Sequence, residues 1–204
     1  MLTLYFSPGS SAMATHIALH EVGVPFEPRP LSFATKDQRT PDYLGLNPEG
    51  KVPALIIDGA VLTEVAGTLY YLAKRYPEAN LWPEGGIEAE AQAVSWMSFI
   101  ASTIHPARRA GVQRWKEVFV YAEQRLAGAE WTAGPRYSIA DIHLFRLYWR
   151  FVDALGRDVT GPYPALTAHY DRIMQRPAVK KTIEIEAGIG YTFPTGAGTD
   201  VSRE

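Results

Sequence analysis

A stretch rich in proline and glycine divides the sequence into two parts with different hydrophobic patterns. Residues 77–86 read Pro-Glu-Ala-Asn-Leu-Trp-Pro-Glu-Gly-Gly, and such clusters mark loops between periodic segments. The chain has 204 residues, more than the roughly 150 that are typical of one domain, so two small domains fit its length. We therefore predict a first domain over 1–77, a linker over 78–86, a second domain over 87–188 and a tail over 189–204.

The first part mixes strands with helices. The predicted elements, in order, are a strand over 2–6, a helix from Ser10 or Ser11 to near Gly23, a strand over 26–33, a strand over 52–57, a strand over 60–62 and a helix over 64–76. Pro28 and Pro30 place their strand at the sheet edge, because proline cannot donate a ladder hydrogen bond. Asp58-Gly59 predicts a hairpin turn, and Thr63 is expected to cap the last helix.

The second part has a helical pattern throughout. The predicted helices lie over 87–104, 113–126, 138–155, 164–175 and 177–186. Pro106 marks the end of the first helix or a kink in it. The helix that begins at Ser138 is apolar nearly all round, so we expect it to be the buried centre of this domain. The predicted fold class is an α/β domain followed by an all-helical domain.

Charge and hydropathy argue against two classes of partner. The chain has 20 Lys and Arg against 22 Asp and Glu, and a net charge of −2 lacks the basic excess of a nucleic-acid binder. No apolar run approaches the ~18–20 residues of a membrane span. The first residues lack the basic and apolar regions of a signal peptide. We expect a cytoplasmic protein without nucleic-acid or membrane partners.

The chain contains no cysteine. A disulfide, a thiolate metal site and a cysteine nucleophile are therefore excluded. Any thiol that reacts here must arrive with a ligand. The histidines show no ligand spacing with carboxylates, so we predict no metal site.

A candidate peptide-binding edge lies at residues 47–55, which read Asn-Pro-Glu-Gly-Lys-Val-Pro-Ala-Leu. A cis peptide bond has a low free-energy cost only before proline. A cis bond before Pro53 would turn the Val52 N–H and C=O outward. An extended peptide could then pair with Val52 as an added strand. The alternative is a trans edge proline with no ligand.

The segment Leu62-Thr63-Glu64-Val65 places a hydroxyl, a carboxylate and free backbone N–H groups at a helix start. Such an end attracts a carboxylate, and Glu64 beside it could bind an ammonium group. Together these groups suit an amino-acid head group. The alternative is plain helix capping.

These motifs together resemble the cytosolic glutathione transferases. Pro-Gly-Ser-Ser over 8–11, the motif over 47–55 and Leu-Thr-Glu over 62–64 are similar to the thioredoxin-like half of that family. Tyr-Ser-Ile-Ala-Asp over 137–141 is similar to the capping signature of its helical half. The order and spacing of these motifs hold from residue 1 to about residue 186.

Among the subgroups, the chain looks most like the bacterial beta class. The support is Pro-Gly-Ser-Ser followed by His-Ile-Ala-Leu over 16–19, and Trp96 with His105 nine residues later. The chain departs from this class at one position that matters. The class has a cysteine after Pro-Gly-x, and Ser11 stands there, so mixed-disulfide chemistry of that cysteine is excluded.

The resemblance implies that glutathione, as co-substrate, lies extended along the first domain. Its backbone would pair at Val52 beside a cis Pro53, with its γ-glutamyl head at Glu64 and Val65. Lys36 would reach the glycyl carboxylate. The family also implies a homodimer and a small hydrophobic electrophile as second substrate.

Three hydroxyl groups compete for the role of thiol activator. A hydroxyl that donates to the bound sulfur favours the reactive thiolate, and a helix N-terminus adds to that effect. Ser11 takes the cysteine's place, Ser10 matches the serine of the delta and theta pattern, and Tyr5 is the third choice because tyrosine-type enzymes carry the phenol slightly later. Helix capping is the alternative role for either serine.

In the beta pattern, a histidine at the place of His105 faces the glutathione sulfur and the second-substrate pocket. A neutral imidazole there could accept a proton or orient a water molecule. Ser98 and Ser102 share its helix face by spacing and could reach the same pocket or a partner subunit. A structural histidine at a helix terminus is the alternative.

The predicted activity is a glutathione S-transferase that activates glutathione as the thiolate for attack on hydrophobic electrophiles. Two alternatives stay open. One is glutathione-dependent isomerisation, ether cleavage or peroxide reduction on the same scaffold, and the other is a protein that binds glutathione without catalysis.

Overall fold

The computed structural model describes residues 1–189, which form two compact units. The first unit comprises Met1–Ala79 with residues 177–189, and the second comprises Asn80–Arg176. The last helix therefore belongs to the first unit, although its position in the sequence had placed it in the second domain. The predicted tail lies outside the described residues, except for Ile189.

Strands and helices alternate in the first unit, whereas the elements of the second unit are helices. The strands are β1 (Leu2–Phe6), β2 (Phe26–Pro30), β3 (Ala54–Ile57) and β4 (Ala60–Thr63). The helices are α1 (Met13–Val22), α2 (Pro41–Leu46), α3 (Val65–Arg75), α4 (Gly86–Phe99), α5 (His105–Ala107), α6 (Val112–Leu126), α7 (Ile139–Leu155), α8 (Pro164–Ile173) and α9 (Pro177–Gly188). The predicted fold class, a thioredoxin-like domain and an all-helical domain, is confirmed.

The four strands form one sheet in the order β2-β1-β3-β4. β1 runs parallel to β2 and antiparallel to β3, with Leu4 opposite Leu55 at the centre of the pairing. β2 lies at the edge, as its prolines predicted. Asp58 and Gly59 have φ values of 48° and 93°, and the tight β3–β4 hairpin needs this left-handed geometry at both turn residues.

One local prediction in the first unit was wrong, and one short helix was missed. Thr63 does not cap α3, because it pairs with Ala54 at the end of β4 and Glu64 takes the position before the helix. The short helix α2 was not predicted, since six residues are too few to show a hydrophobic period. Its signals are local: the Thr40 hydroxyl accepts from the Tyr43 N–H, and Pro41 takes the first turn.

The long helix predicted over 87–104 is interrupted. After α4, residues Ile100–Ile104 form a π-helical turn in which the His105 N–H bonds to the Ile100 carbonyl. Pro106 has no N–H to continue the α-helical hydrogen bonding, which explains why the hydrogen-bond register changes next to it.

Among the described helices, none is long and apolar enough to cross a membrane.

Helix α7 is the centre of the second unit, as predicted. Each residue from Ile139 to Val152 is buried, and Ser138 and Asp141 form a capping box at the start of the helix. The Asp141 carboxylate also accepts from the Thr132 N–H at 2.8 Å and contacts His169 Nε2 at 2.9 Å. One buried carboxylate therefore joins the helix start to the preceding loop and to α8.

We expect Asp141→Ala to destabilise the protein more than Ser138→Ala. Loss of an N-cap hydroxyl costs about 1 kcal/mol. Loss of Asp141 leaves several buried donors without an acceptor, and breaking such a buried cluster costs about 3–5 kcal/mol. The free energy of unfolding from urea titration measures both, and equal losses would show that the cap alone carries the effect.

Candidate active site

The turn after β1 carries both candidate serines. It is closed by the Ser10 N–H, which donates to the Ser7 carbonyl at 3.0 Å, and Gly9 takes a φ of 67°. Ser10 is 9% exposed, and its hydroxyl accepts from the Ala12 N–H at 3.3 Å. Ala12 occupies the N-cap position of α1, so the prediction that a serine takes this position was wrong.

Ser11 is half-buried and lies at the predicted peptide-binding edge. Its hydroxyl donates to the Val52 carbonyl at 3.3 Å, and the Val52–Pro53 peptide bond is cis, as predicted. Two motifs that are 41 residues apart are thus brought into contact. The Ser11 hydroxyl therefore lies beside the backbone group that is expected to pair with a peptide.

The start of α3 has an unusual backbone. Glu64 has a φ of 64° and a ψ of 128°, a combination that non-glycine residues rarely adopt and that is concentrated at functional sites. Its side chain is exposed and makes no capping hydrogen bond, whereas Val65 is buried. The buried hydroxyls of Thr15 and Thr68 lie 2.7 Å apart and join α1 to α3.

The other first-unit candidates lie in different surroundings. Tyr5 is half-buried in β1, and its ring centroid lies 5.5 Å from that of Tyr43. Lys36 is exposed in the loop after β2, with a left-handed φ of 59°.

Sequence reasoning missed a buried carboxylate that contacts the turn after β1, called here the serine turn because it carries Ser10 and Ser11. Glu186 of α9 is fully buried, and its Oε2 accepts from the Gly9 N–H at 2.6 Å. Its Oε1 lies 2.8 Å from Nδ1 of the equally buried His16. No local signal could reveal this contact, because the residues are 177 and 170 positions apart.

A second histidine lies next to this buried pair. The His20 ring centroid is 5.0 Å from that of His16. Burial, followed by the nearby His16 and Lys181, lowers the pKa of His20 to about 4. His20 is therefore neutral at pH 7 and adds no positive charge beside His16.

The candidate site residues of the second unit lie at the end of α4, in the π-helical turn that follows it and at the start of α5. Ser98, Ser102 and His105 are all exposed, and the Ser102 hydroxyl donates to the Ser98 carbonyl at 2.8 Å. His105 influences the buried His143, whose pKa is lowered to about 3 by burial and then by His105 and Arg146. His143 is therefore neutral at pH 7.

The described residues contain no group of three or more histidine, cysteine or acidic side chains placed to hold a metal ion. The candidate groups of the first unit include the hydroxyls of Ser10 and Ser11, the exposed Glu64 carboxylate and the start of α3. Hydroxyl and backbone N–H donors can bind and polarise a polar group of a ligand, and a carboxylate can bind an ammonium group.

Two family descriptions match the sequence. The N-terminal domain of glutathione S-transferase matches residues 1–74, and the C-terminal domain of the same family matches residues 97–177. The matched ranges coincide with most of the first unit's continuous part and most of the second unit.

Individual relatives match along nearly the whole chain. Glutathione S-transferase GST-4.5 from Xanthomonas campestris is 30% identical, over 91% of this chain and 98% of its own. A beta-class glutathione S-transferase structure from Sphingomonas chungbukensis is 33% identical, with a TM-score of 0.79 over 90% and 98% of the two chains. A sphingomonad glutathione S-transferase complexed with glutathione is 32% identical, with a TM-score of 0.79 over 91% and 98%.

We expect Glu186→Ala to lower the free energy of unfolding by about 3–5 kcal/mol, because the change leaves buried His16 and the Gly9 N–H without an acceptor. Glu186→Gln keeps an acceptor oxygen and should cost less. Chemical unfolding monitored by tryptophan fluorescence measures both. A loss below about 1 kcal/mol for Glu186→Ala would contradict a role for this carboxylate in holding the turn.

Proposed function

Because this chain belongs to the glutathione S-transferase family, we propose that the Ser11 hydroxyl stabilises the glutathione thiolate, which then attacks small hydrophobic electrophiles. The contact between Ser11 and the Val52 carbonyl carries this proposal. A peptide that pairs with Val52 as an added strand brings its own side chain next to that contact. The glutathione sulfur would then lie within reach of the Ser11 hydroxyl.

The position of Ser11 favours it over the Ser10 hydroxyl. A Ser11 hydroxyl that leaves its long bond to Val52 can donate to sulfur, and donation to the charged form lowers a thiol pKa. The turn at the start of α1 adds the electrostatic effect of a helix N-terminus. Ser10 is less exposed, and its hydroxyl already serves the Ala12 N–H.

The remaining glutathione contacts follow the same alignment of the peptide. In this proposal Val52, beside cis Pro53, pairs with the cysteinyl backbone. The γ-glutamyl head binds at Glu64 and the Val65 N–H, where a carboxylate and a helix start are adjacent. Lys36, which is exposed in its loop, binds the glycyl carboxylate.

The second unit contributes His105 in this proposal. A neutral imidazole there accepts a proton or orients water during the transfer step. His105 is exposed, as a group that meets a ligand has to be. Ser98 and Ser102 are assigned to the binding of the second substrate from their exposed positions on α4 and the turn after it.

We also propose a cytoplasmic homodimer. Ile87 and Val94 are 71% and 56% exposed and lie two helical turns apart on α4, with exposed Ala91 between them. Val120 and Tyr121 on α6 are also exposed apolar side chains. A second copy of the chain would remove these groups from water.

Ser11→Ala should remove the ultraviolet absorption of the thiolate when glutathione is added at pH 7. Loss of the donor should raise the bound thiol's pKa by about 1–2 units, equivalent to about 1.4–2.7 kcal/mol. Turnover with a chromogenic aryl halide should fall at least about tenfold. Ser10→Ala is the matched control and should keep most of the band.

Other outcomes point to other assignments. A band that survives in Ser11→Ala but disappears in Ser10→Ala or Tyr5→Phe would move the role to that hydroxyl. A wild-type protein that binds glutathione by calorimetry without a thiolate band would contradict the transferase proposal.

Val94→Glu should convert the dimer to a monomer, because it buries a charge in the proposed apolar contact. Sedimentation equilibrium should show a mass near twice the chain's 22.6 kDa for the wild type and near one chain for the variant. Ile189→Glu, which places a charge at another exposed apolar side chain, is the control. A monomeric wild type would disprove the assembly.

A further inference from the structure

One backbone carbonyl in the first unit is held by two buried side chains. The Tyr43 hydroxyl donates to the Lys51 carbonyl at 2.5 Å, and Asn47 Nδ2 donates to the same oxygen at 2.9 Å. Tyr43 is 3% exposed and Asn47 is 5% exposed. This carbonyl belongs to the peptide unit that immediately precedes Val52.

Both donors are themselves fixed. Asn47 Oδ1 accepts from the Glu49 N–H at 3.2 Å, and the Asn47 carbonyl accepts from the Gly50 N–H at 2.9 Å. The first of these contacts orients the side-chain amide with its NH₂ group toward Lys51. Burial raises the pKa of Tyr43 to about 12, so its phenol remains a donor throughout the physiological range.

The held carbonyl sets the direction of the next N–H. The Lys51 carbonyl and the Val52 N–H belong to one planar trans peptide, so they point in opposite directions. Holding the oxygen therefore aims the N–H away from Tyr43 and Asn47. Within residues 1–189, the Val52 N–H has no hydrogen-bond partner.

We infer that Tyr43 and Asn47 are positioning residues for glutathione, because they hold the Lys51–Val52 peptide in the orientation that offers the Val52 N–H to the ligand's backbone. The inference rests on the proposed function, in which glutathione pairs at Val52. Neither side chain is assigned a contact with the ligand. Their role is to fix the binding edge before the ligand arrives, which reduces the ordering that binding requires.

Because Tyr43 and Asn47 donate to the same carbonyl, their substitutions should not have independent effects on glutathione binding. When one donor is lost, the other still holds the carbonyl, so each single change should weaken glutathione binding only about two- to fivefold. When both are lost, the peptide can rotate, and the double variant should bind more weakly than the product of the single effects. Such coupling is typical of groups that share a partner.

Tyr43→Phe, Asn47→Asp and the double variant test this inference. Asn47→Asp removes the donor and keeps an acceptor for the Glu49 N–H. Tyr163→Phe is the matched control, since Tyr163 is also 3% exposed and its hydroxyl donates to a lysine carbonyl, that of Lys116, at 3.0 Å in the second unit. Calorimetry gives the dissociation constant of glutathione, and steady-state kinetics gives KM and kcat.

We expect the Tyr43 and Asn47 variants to raise the Kd and KM for glutathione while kcat at saturating glutathione changes less than twofold. Tyr163→Phe should leave Kd and KM unchanged even where it lowers the melting temperature. A Kd for the double variant within twofold of the wild type would overturn the inference. A double variant that loses kcat without a change in Kd would also overturn it.

A measurement without ligand separates this inference from the proposed function. The ¹⁵N order parameter of the Val52 amide should fall in the double variant and stay at the wild-type value in Tyr163→Phe. Wild-type protein that fails to bind glutathione would disprove the proposed function and leave the order parameter as the test of the two side chains. An unchanged Val52 order parameter in the double variant would overturn the inference.

Discussion

The buried carboxylate of Glu186 is the interaction on which the first unit most depends. It accepts from the Gly9 N–H in the serine turn and pairs with buried His16, so α9 closes the first unit although it follows the whole second unit in the chain. A buried carboxylate is costly unless its oxygens are satisfied, and here both have partners. The turn that carries Ser11 is therefore held in place by the last described helix.

Much of the fold could be predicted from the sequence because its signals are local. Alternation in β1, prolines in the edge strand, Asp58-Gly59 at the hairpin and the apolar helix that begins at Ser138 each act within a few residues. The error at Thr63 occurred where pairing with another strand decided the outcome. Thr63 has the chemistry of a cap, but its pairing with Ala54 keeps it in the sheet.

The candidate site also combines motifs that are visible in the sequence with supporting contacts that are not. The motifs around Ser11, Val52 and Glu64 were recognisable as a set, and the contact of Ser11 with the Val52 carbonyl is consistent with a shared role. The parts that hold these groups carried no recognisable signal. Glu186 resembled any acidic residue of an amphipathic helix, and Tyr43 lay in a helix too short to show a period.

The sequence alone determined that this chain has an α/β part followed by a helical part, that it can supply no cysteine, and that its motifs resemble those of glutathione transferases. Only the tertiary structure decided which buried groups hold the candidate site, because hydrogen bonds between distant residues leave no periodic pattern in the sequence. Two contacts between groups that are not adjacent in the sequence are the main examples. Glu186 reaches Gly9 across 177 positions, and the Lys51 carbonyl is shared by two side chains that sequence reasoning had left without a role.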